Sequence, residues 1–144
     1  MPRLSSGKWI GSWALAEAEA GSDISSLKTV ARQVAGGWVL KGKKQFIING
    51  KVSKLVVVIA KTKMPNKKEG ISAFVVEKCN GGVIIGNKDD KMGMRASEIG
   101  ELIFKDCYVP SENVLGQTRT GISASDACAR GRQNSHGRFR SRNC

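Results

Sequence analysis

The sequence predicts an all-β fold. We expect a single small β-barrel or sandwich of about eight short antiparallel strands over residues 1–117, with a disordered basic tail over 118–144. Three observations predict this. Short apolar runs alternate with Gly, Asn and Pro turn signals at intervals of roughly 8–12 residues. Several runs are β-branched, as in LVVVIA at Leu55–Ala60. No segment before Leu115 sustains the apolar stripe of an amphipathic helix.

The elements follow in order. Trp9–Ala16 is an apolar-rich run. Leu27–Val34 alternates, and Gly36-Gly37 after it supplies the positive φ of a hairpin turn. Trp38–Lys41 resumes the extended pattern, Gly42 breaks it, and Gln45–Ile48 forms another short strand. Asn49-Gly50 is a turn because both residues tolerate the left-handed region. Leu55–Lys61 reads as a central strand, and the polar KTKMPNKKEG after it as a loop. Ile71–Val76 and Val83–Ile85 are strands separated by a turn at Gly81-Gly82. Glu101–Val109 is the last strand, stopped by Pro110.

Composition excludes several function classes. No apolar run approaches the ~18 residues that span a bilayer, and MPRLSSGKW at the start lacks a signal-like stretch. The expected setting is therefore the cytoplasm, or the mitochondrial matrix in a eukaryote, with no membrane partner. Cys79, Cys107, Cys128 and Cys144 lack C-x-x-C spacing and His136 stands alone, so we expect free thiols and no metal. The net charge of +12 invites nucleic acid. Its distribution argues otherwise. Residues 118–144 hold six Arg and one acid, whereas residues 1–117 hold eighteen basic and eleven acidic residues. Aromatic residues are few, and no strand interleaves them with basic residues as RNA-binding sheets do. Nucleic acid therefore ranks last among the expected partners. The Lys clusters at 41–44 and 61–68 read as solvated loop charge.

Four stretches carry more. WALAEAEAGSD (Trp13–Asp23) resembles the flavin-binding signature of the acyl-CoA dehydrogenase family, a strand ending in Thr-Glu-Pro-x-Ala-Gly-Ser-Asp. Glu17, Ala20, Gly21, Ser22 and Asp23 match it, with Ala16 in place of the Thr and Ala18 in place of the Pro. LKGKKQFIING (Leu40–Gly50) is similar to the family's Leu-Asn-Gly-x-Lys-x-Trp-Ile-Thr-Asn-Gly. GISAFVVEK (Gly70–Lys78) and DKMGMRASEIGELIFKDCYVPSENVLG (Asp90–Gly116) resemble two further family segments in order. The resemblance covers residues 7–116 and points to the family's middle β-domain. After Gly116 the chain becomes Arg-rich and unlike the family, as a shifted reading frame or a natural basic tail would make it.

The resemblance implies FAD as cofactor and acyl-CoA thioesters as substrates, oxidised to trans-2-enoyl-CoA. It implies helical domains and neighbouring subunits as partners. The family's catalytic base lies on a C-terminal helical bundle that this sequence does not contain, so no catalytic residue is assigned. Backbone groups at a strand end need partners, and a flavin's pyrimidine edge carries matching donors and acceptors. Trp13, Ala14, Leu15 and Ala16 are therefore expected to meet FAD through the main chain. Ala20 and Gly21 allow close approach, backbone N–H groups near Ser22 are expected to meet the pyrophosphate or substrate, and the family's serine also touches the acyl-CoA. Alone, AGSD reads first as a turn capped by Ser or Asp, and the other three stretches reverse that reading. Phe46, Ile47 and Ile48 replace the family's Trp-Ile-Thr, so a ring can still pack on the flavin but the hydroxyl aimed at N5 is gone. Glu17 is expected to be structural, and Arg95 and Ser97 to serve either a turn or the coenzyme A end. Two other classes remain: a non-catalytic relative serving in assembly, and a basic nucleic-acid-binding module.

Overall fold

The computed structural model describes residues 2–21, 23–63 and 69–115. Eight strands carry the fold: β1 (Gly11–Ala14), β2 (Val30–Val34), β3 (Gly37–Ile48), β4 (Leu55–Lys63), β5 (Gly70–Glu77), β6 (Val83–Lys88), β7 (Ile99–Pro110) and β8 (Val114–Leu115). The helical content of the described residues is one turn at Pro2–Ser5 and three 3-10 turns. The all-β reading holds. The proposed tail at 118–144, with Cys128, His136 and Cys144, lies outside the described residues.

The sheet runs β6-β7-β3-β2-β4-β5-β8, with β1 added on β4. The two ends of this path do not pair, so the sheet curls over itself without closing. Trp38 of β3 meets Phe74 of β5 edge to face across the interior, their ring centroids 5.6 Å apart. Around them pack Ala14, Leu40, Val56, Val58, Leu102 and Phe104. Each large side chain fully buried here contributes about 1.5–3 kcal/mol relative to exposure. A smaller cluster holds Leu15, Ala20, Leu27 and Ile59.

Three expectations need correction. First, the strands are not all antiparallel. β1 and β2 both run parallel to β4, Trp13 opposite Val57 and Val30 opposite Lys61. Period-2 patterning reports burial, not strand direction. Second, Trp38–Lys41 and Gln45–Ile48 are one continuous strand, β3. Gly42 does not break it. A Cβ there would stand 2.5 Å from Thr29 Oγ1 and 2.7 Å from Thr29 Cα. The glycine lets two backbones approach, within a bulge of the β3–β7 ladder. Third, the strand expected from Leu27 begins at Val30, because Ile24–Ser26 forms a 3-10 turn just before it.

The turn chemistry was readable. Gly36 has φ 76° in the β2–β3 hairpin, and Gly37 already pairs with Val34. A Cβ on Gly37 would lie 2.9 Å from the Tyr108 hydroxyl, so this second glycine serves packing. Asn49 adopts φ 59°, the left-handed conformation expected of Asn-Gly.

Candidate functional site

One edge of β4 is shared. β1 takes Leu55–Val58 and β2 takes Lys61–Lys63. Between them the chain departs after Ala14 and returns at Val30, so residues 15–29 form an excursion from the sheet. This excursion holds most of the WALAEAEAGSD stretch. It is tied to β4 at its return end, where the Lys61 N–H donates to the Thr29 carbonyl at 2.9 Å, and to β3 near its start. The Gln45 N–H donates to the Ala16 carbonyl at 2.9 Å, and the Lys44 ammonium donates to the Leu15 carbonyl at 2.8 Å.

Lys44 and Glu17 organise the excursion. Lys44 is 0 % exposed and its Nζ donates to Glu17 Oε1 at 2.7 Å. The same oxygen accepts the Thr29 N–H at 3.1 Å, and Oε2 accepts the Lys28 N–H at 2.6 Å. Glu17 and Ala20 close the turn by exchanging backbone hydrogen bonds. Burial would push the Glu17 carboxyl up. The hydrogen bonds from Lys44, Thr29 and the Lys28 backbone outweigh it and hold the carboxyl below its ordinary value. Burial also pulls the Lys44 ammonium down, against the opposing pull of Glu17. The lowered carboxyl keeps Glu17 ionised at neutral pH, and Glu17 in turn favours the charged form of Lys44 against burial.

The expected structural role of Glu17 is therefore met, whereas Lys44 is no solvated loop charge. The sequence held a signal for it. Trp38, Leu40, Gly42 and Lys44 share one parity along β3, and Trp38 and Leu40 are buried. Parity then flips. Phe46 adopts φ 57° between Lys44 and Ile47, where the β3–β7 register shifts. A left-handed aromatic residue is a costly backbone choice. It throws the Phe46 ring outward, 63 % exposed, and returns Ile47 to the core.

The remaining candidates divide by what their side chains do. Trp13 and Ile48 are exposed by 47 % and 54 %. With Phe46 they are apolar groups left uncovered on segments that the Ala16–Gln45 hydrogen bond joins. Ala14 and Ile47 are buried in the main core and Leu15 in the smaller cluster, so only their main chain can face outward. Ala16 is half-buried and Gly21 exposed. A Cβ on Gly21 would meet nothing within 4 Å. Ser22 lies outside the described residues. The carbonyls of Leu15 and Ala16 already serve internal donors. A ligand contact to either would be that oxygen's second hydrogen bond. Asp23 behaves as the turn reading expected. Its carboxylate accepts from the Ser25 N–H at 2.9 Å and from the hydroxyls of Ser25 and Ser26 at 2.7 and 2.6 Å.

Arg95 and Ser97 hold a turn. Arg95 Nε donates to the Lys91 carbonyl at 2.9 Å and Ser97 N–H to the Met94 carbonyl at 3.0 Å. An open cavity of about 200 Å³ lined by Lys88, Asp89, Asp90, Lys91 and Arg95 adjoins it. Cys79 is exposed, and Cys107 is buried in the core, where burial pushes its thiol up.

Comparison with known proteins places this geometry. The family description "Acyl-CoA dehydrogenase, middle domain" matches residues 12–107. The chain is 45% identical over 122 residues to the mitochondrial isovaleryl-CoA dehydrogenase of Solanum tuberosum, covering 85% of this chain and 30% of that protein. It is also similar to the solved butyryl-CoA dehydrogenase of Megasphaera elsdenii, with 37% identity, a TM-score of 0.76, and coverage of 84% of this chain and 31% of that one. A glutaryl-CoA dehydrogenase of Mycobacterium smegmatis, solved with FADH2, shares 32% identity at a TM-score of 0.74, over 85% of this chain and 30% of the other. The chain thus spans about 30% of the length of such relatives.

Proposed function

Because the chain belongs to the acyl-CoA dehydrogenase family, as its middle domain, we propose that it supplies one wall of an FAD site in an enzyme that oxidises acyl-CoA thioesters. The observation that carries this reading is the Ala16–Gln45 backbone hydrogen bond. It unites the two stretches that resemble the family's flavin segments and leaves Trp13, Phe46 and Ile48 uncovered beside them. The donor set suits a flavin: main-chain groups for the polar pyrimidine edge, and flat apolar side chains for the ring. A crystal structure of a relative sharing this fold contains FADH2, which supports the same cofactor here.

Within this reading, Trp13, Ala14, Leu15 and Ala16 hold the pyrimidine edge by their main chain. Phe46 and Ile48 pack on the ring, with Ile47 fixing their backbone from the core. Gly21 and Ser22 lie along the pyrophosphate and the acyl-CoA. Bound FAD supplies acceptance of a hydride from the β-carbon of the thioester. This chain's residues orient and shield the ring, and the α-proton is removed by a base that the family carries in its helical bundle. Helical domains and neighbouring subunits complete the pocket. Relatives from Solanum tuberosum and Rattus norvegicus are mitochondrial enzymes, which favours the matrix for a eukaryotic source.

Titration of FAD with the chain, followed by flavin fluorescence, tests the reading. Saturable quenching supports it, and its absence at high protein concentration sinks it. A second reading, a non-catalytic relative used in assembly, draws on Ala16 and Ile48, which lack the hydroxyls of the family's threonines. A folded chain that binds no FAD favours that reading.

A further inference from the structure

Stability alone does not account for the buried pair. Removing two charges from water is costly, and apolar residues of similar volume often serve a core as well or better. Lys44 is fully buried, and its Nζ divides its hydrogen bonds between Glu17 Oε1 and the Leu15 carbonyl. That carbonyl belongs to the peptide group shared with Ala16. The peptide is trans, so its C=O and N–H point in opposite directions. With the carbonyl turned in toward the cation, the Ala16 N–H is turned away from it. Ala16 is pinned on its other side too, by the Gln45 N–H on its own carbonyl.

We propose that Lys44 is a positioning residue of the flavin site: its buried ammonium, neutralised by Glu17, fixes the Leu15–Ala16 peptide and polarises it so that the Ala16 N–H meets the ligand as a strengthened donor. The inference rests on the flavin reading given above and adds a residue to it. A charge bonded to a peptide oxygen draws electron density from the N–H, and linked hydrogen bonds reinforce one another by perhaps 10–30% each in condensed phase. The ammonium is out of reach of solvent ions, so salt screens its hydrogen bond to the Leu15 carbonyl little. Glu17 holds the cation in place and is in turn held by the Lys28 and Thr29 N–H groups, which fixes the return limb of the excursion.

The experiment follows the Ala16 amide by NMR and FAD binding by fluorescence, on the full chain. In the unsubstituted chain, saturating FAD should move the Ala16 amide proton downfield. The double variant Lys44→Met/Glu17→Leu removes the cation without stranding a buried charge. It should keep the far-UV circular dichroism and the β6–β7 amide shifts. Its Ala16 amide should move upfield before any ligand is added, and its FAD affinity should fall about tenfold, the loss of one charge-assisted contact. Lys44→Arg, which keeps the cation, should retain most of the affinity. A folded double variant that binds FAD as tightly as the unsubstituted chain overturns the inference and leaves the flavin reading standing. So does an Ala16 amide unmoved by saturating FAD, a result that decides the matter alone if the variant does not fold. A chain that binds no FAD overturns both.

Discussion

Lys44 and Glu17, 27 residues apart in sequence, meet at 2.7 Å where solvent does not reach either side chain appreciably. Removing one partner leaves the other charged and unpaired in the interior. Lys44→Met alone should therefore cost about 3–5 kcal/mol. Glu17→Leu should cost a similar amount, and the double variant less than the sum. Thermal melts of the three variants give the coupling directly. Additive losses would mean that the two charges do not stabilise each other.

Acid should weaken the fold in a defined window. The Glu17 carboxyl is raised by burial and lowered further by Lys44, Thr29 and the Lys28 N–H, for a net value below its ordinary 4.5. Between those two values the unfolded chain binds more protons than the folded one, so stability rises with pH. The contribution is complete above 4.5 and is lost as pH falls through the folded value. Asp23 and Glu101 are lowered as well, chiefly by hydrogen bonds from Ser25 and from Lys43; Asp23 is exposed, where water screens the effect, whereas Glu101 is half-buried and is unchanged in the double variant. Urea midpoints measured from pH 6 down to 3 should fall more shallowly in Lys44→Met/Glu17→Leu than in the unsubstituted chain. Parallel curves would remove Glu17 from the account.

Two glycines should respond oppositely to alanine. Gly42→Ala forces a methyl to within 2.5 Å of Thr29 Oγ1, with backbone also in the way at 2.7 Å. Overpacking of this kind costs about 1–3 kcal/mol. Gly21→Ala meets nothing within 4 Å and should leave the melting temperature nearly unchanged. If a ligand runs along Gly21, the same substitution should weaken FAD binding. A Gly21→Ala chain that melts and binds like the original would remove Gly21 from the proposed wall.

Phe46 should show stability and binding moving apart. Its φ of 57° is strained for an aromatic residue and free for glycine. Phe46→Gly should hold or raise stability, by about 1 kcal/mol at most, while weakening FAD binding through loss of the ring. Restoring a hydroxyl with Ile48→Thr should strengthen FAD binding by about 0.5–1.5 kcal/mol, at an exposed position where the fold loses little. Calorimetric titration of both variants would check the pair. Parallel changes in melting and affinity at Phe46 would argue that the strain serves the fold.

Turns and apolar spacing carried most of the architecture. Gly36, Asn49 and Pro110 marked element ends because each restricts or frees one backbone angle, which is a local property. Strand direction was illegible, since β1 and β2 reach β4 through contacts more than twenty residues away. Gly42 misled for a related reason. Its role depends on Thr29, and nothing beside Gly42 in the sequence announces a backbone passing that close. Lys44 was readable only by following parity from Trp38 and trusting it over the charge. The opposite error threatens at Phe46, where a left-handed residue resets the parity that exposed Lys44.

The shared edge of β4 also bears on how the molecule assembles. The β2–β3 and β4–β5 pairs join strands that follow one another in the chain, and the first of them closes through Ala35 and Gly36 alone. β1 must cross from residue 11 to residue 55 to find its parallel neighbour. Such distant closure is slow, and contacts of this kind form late on the way to the native state. The β3–β7 pairing spans more residues still, but along two twelve-residue strands, so the four-residue β1 should open before it. Amide exchange should find β1 less protected than β3 and β7, so that one edge of the proposed cofactor wall is where the molecule first loosens.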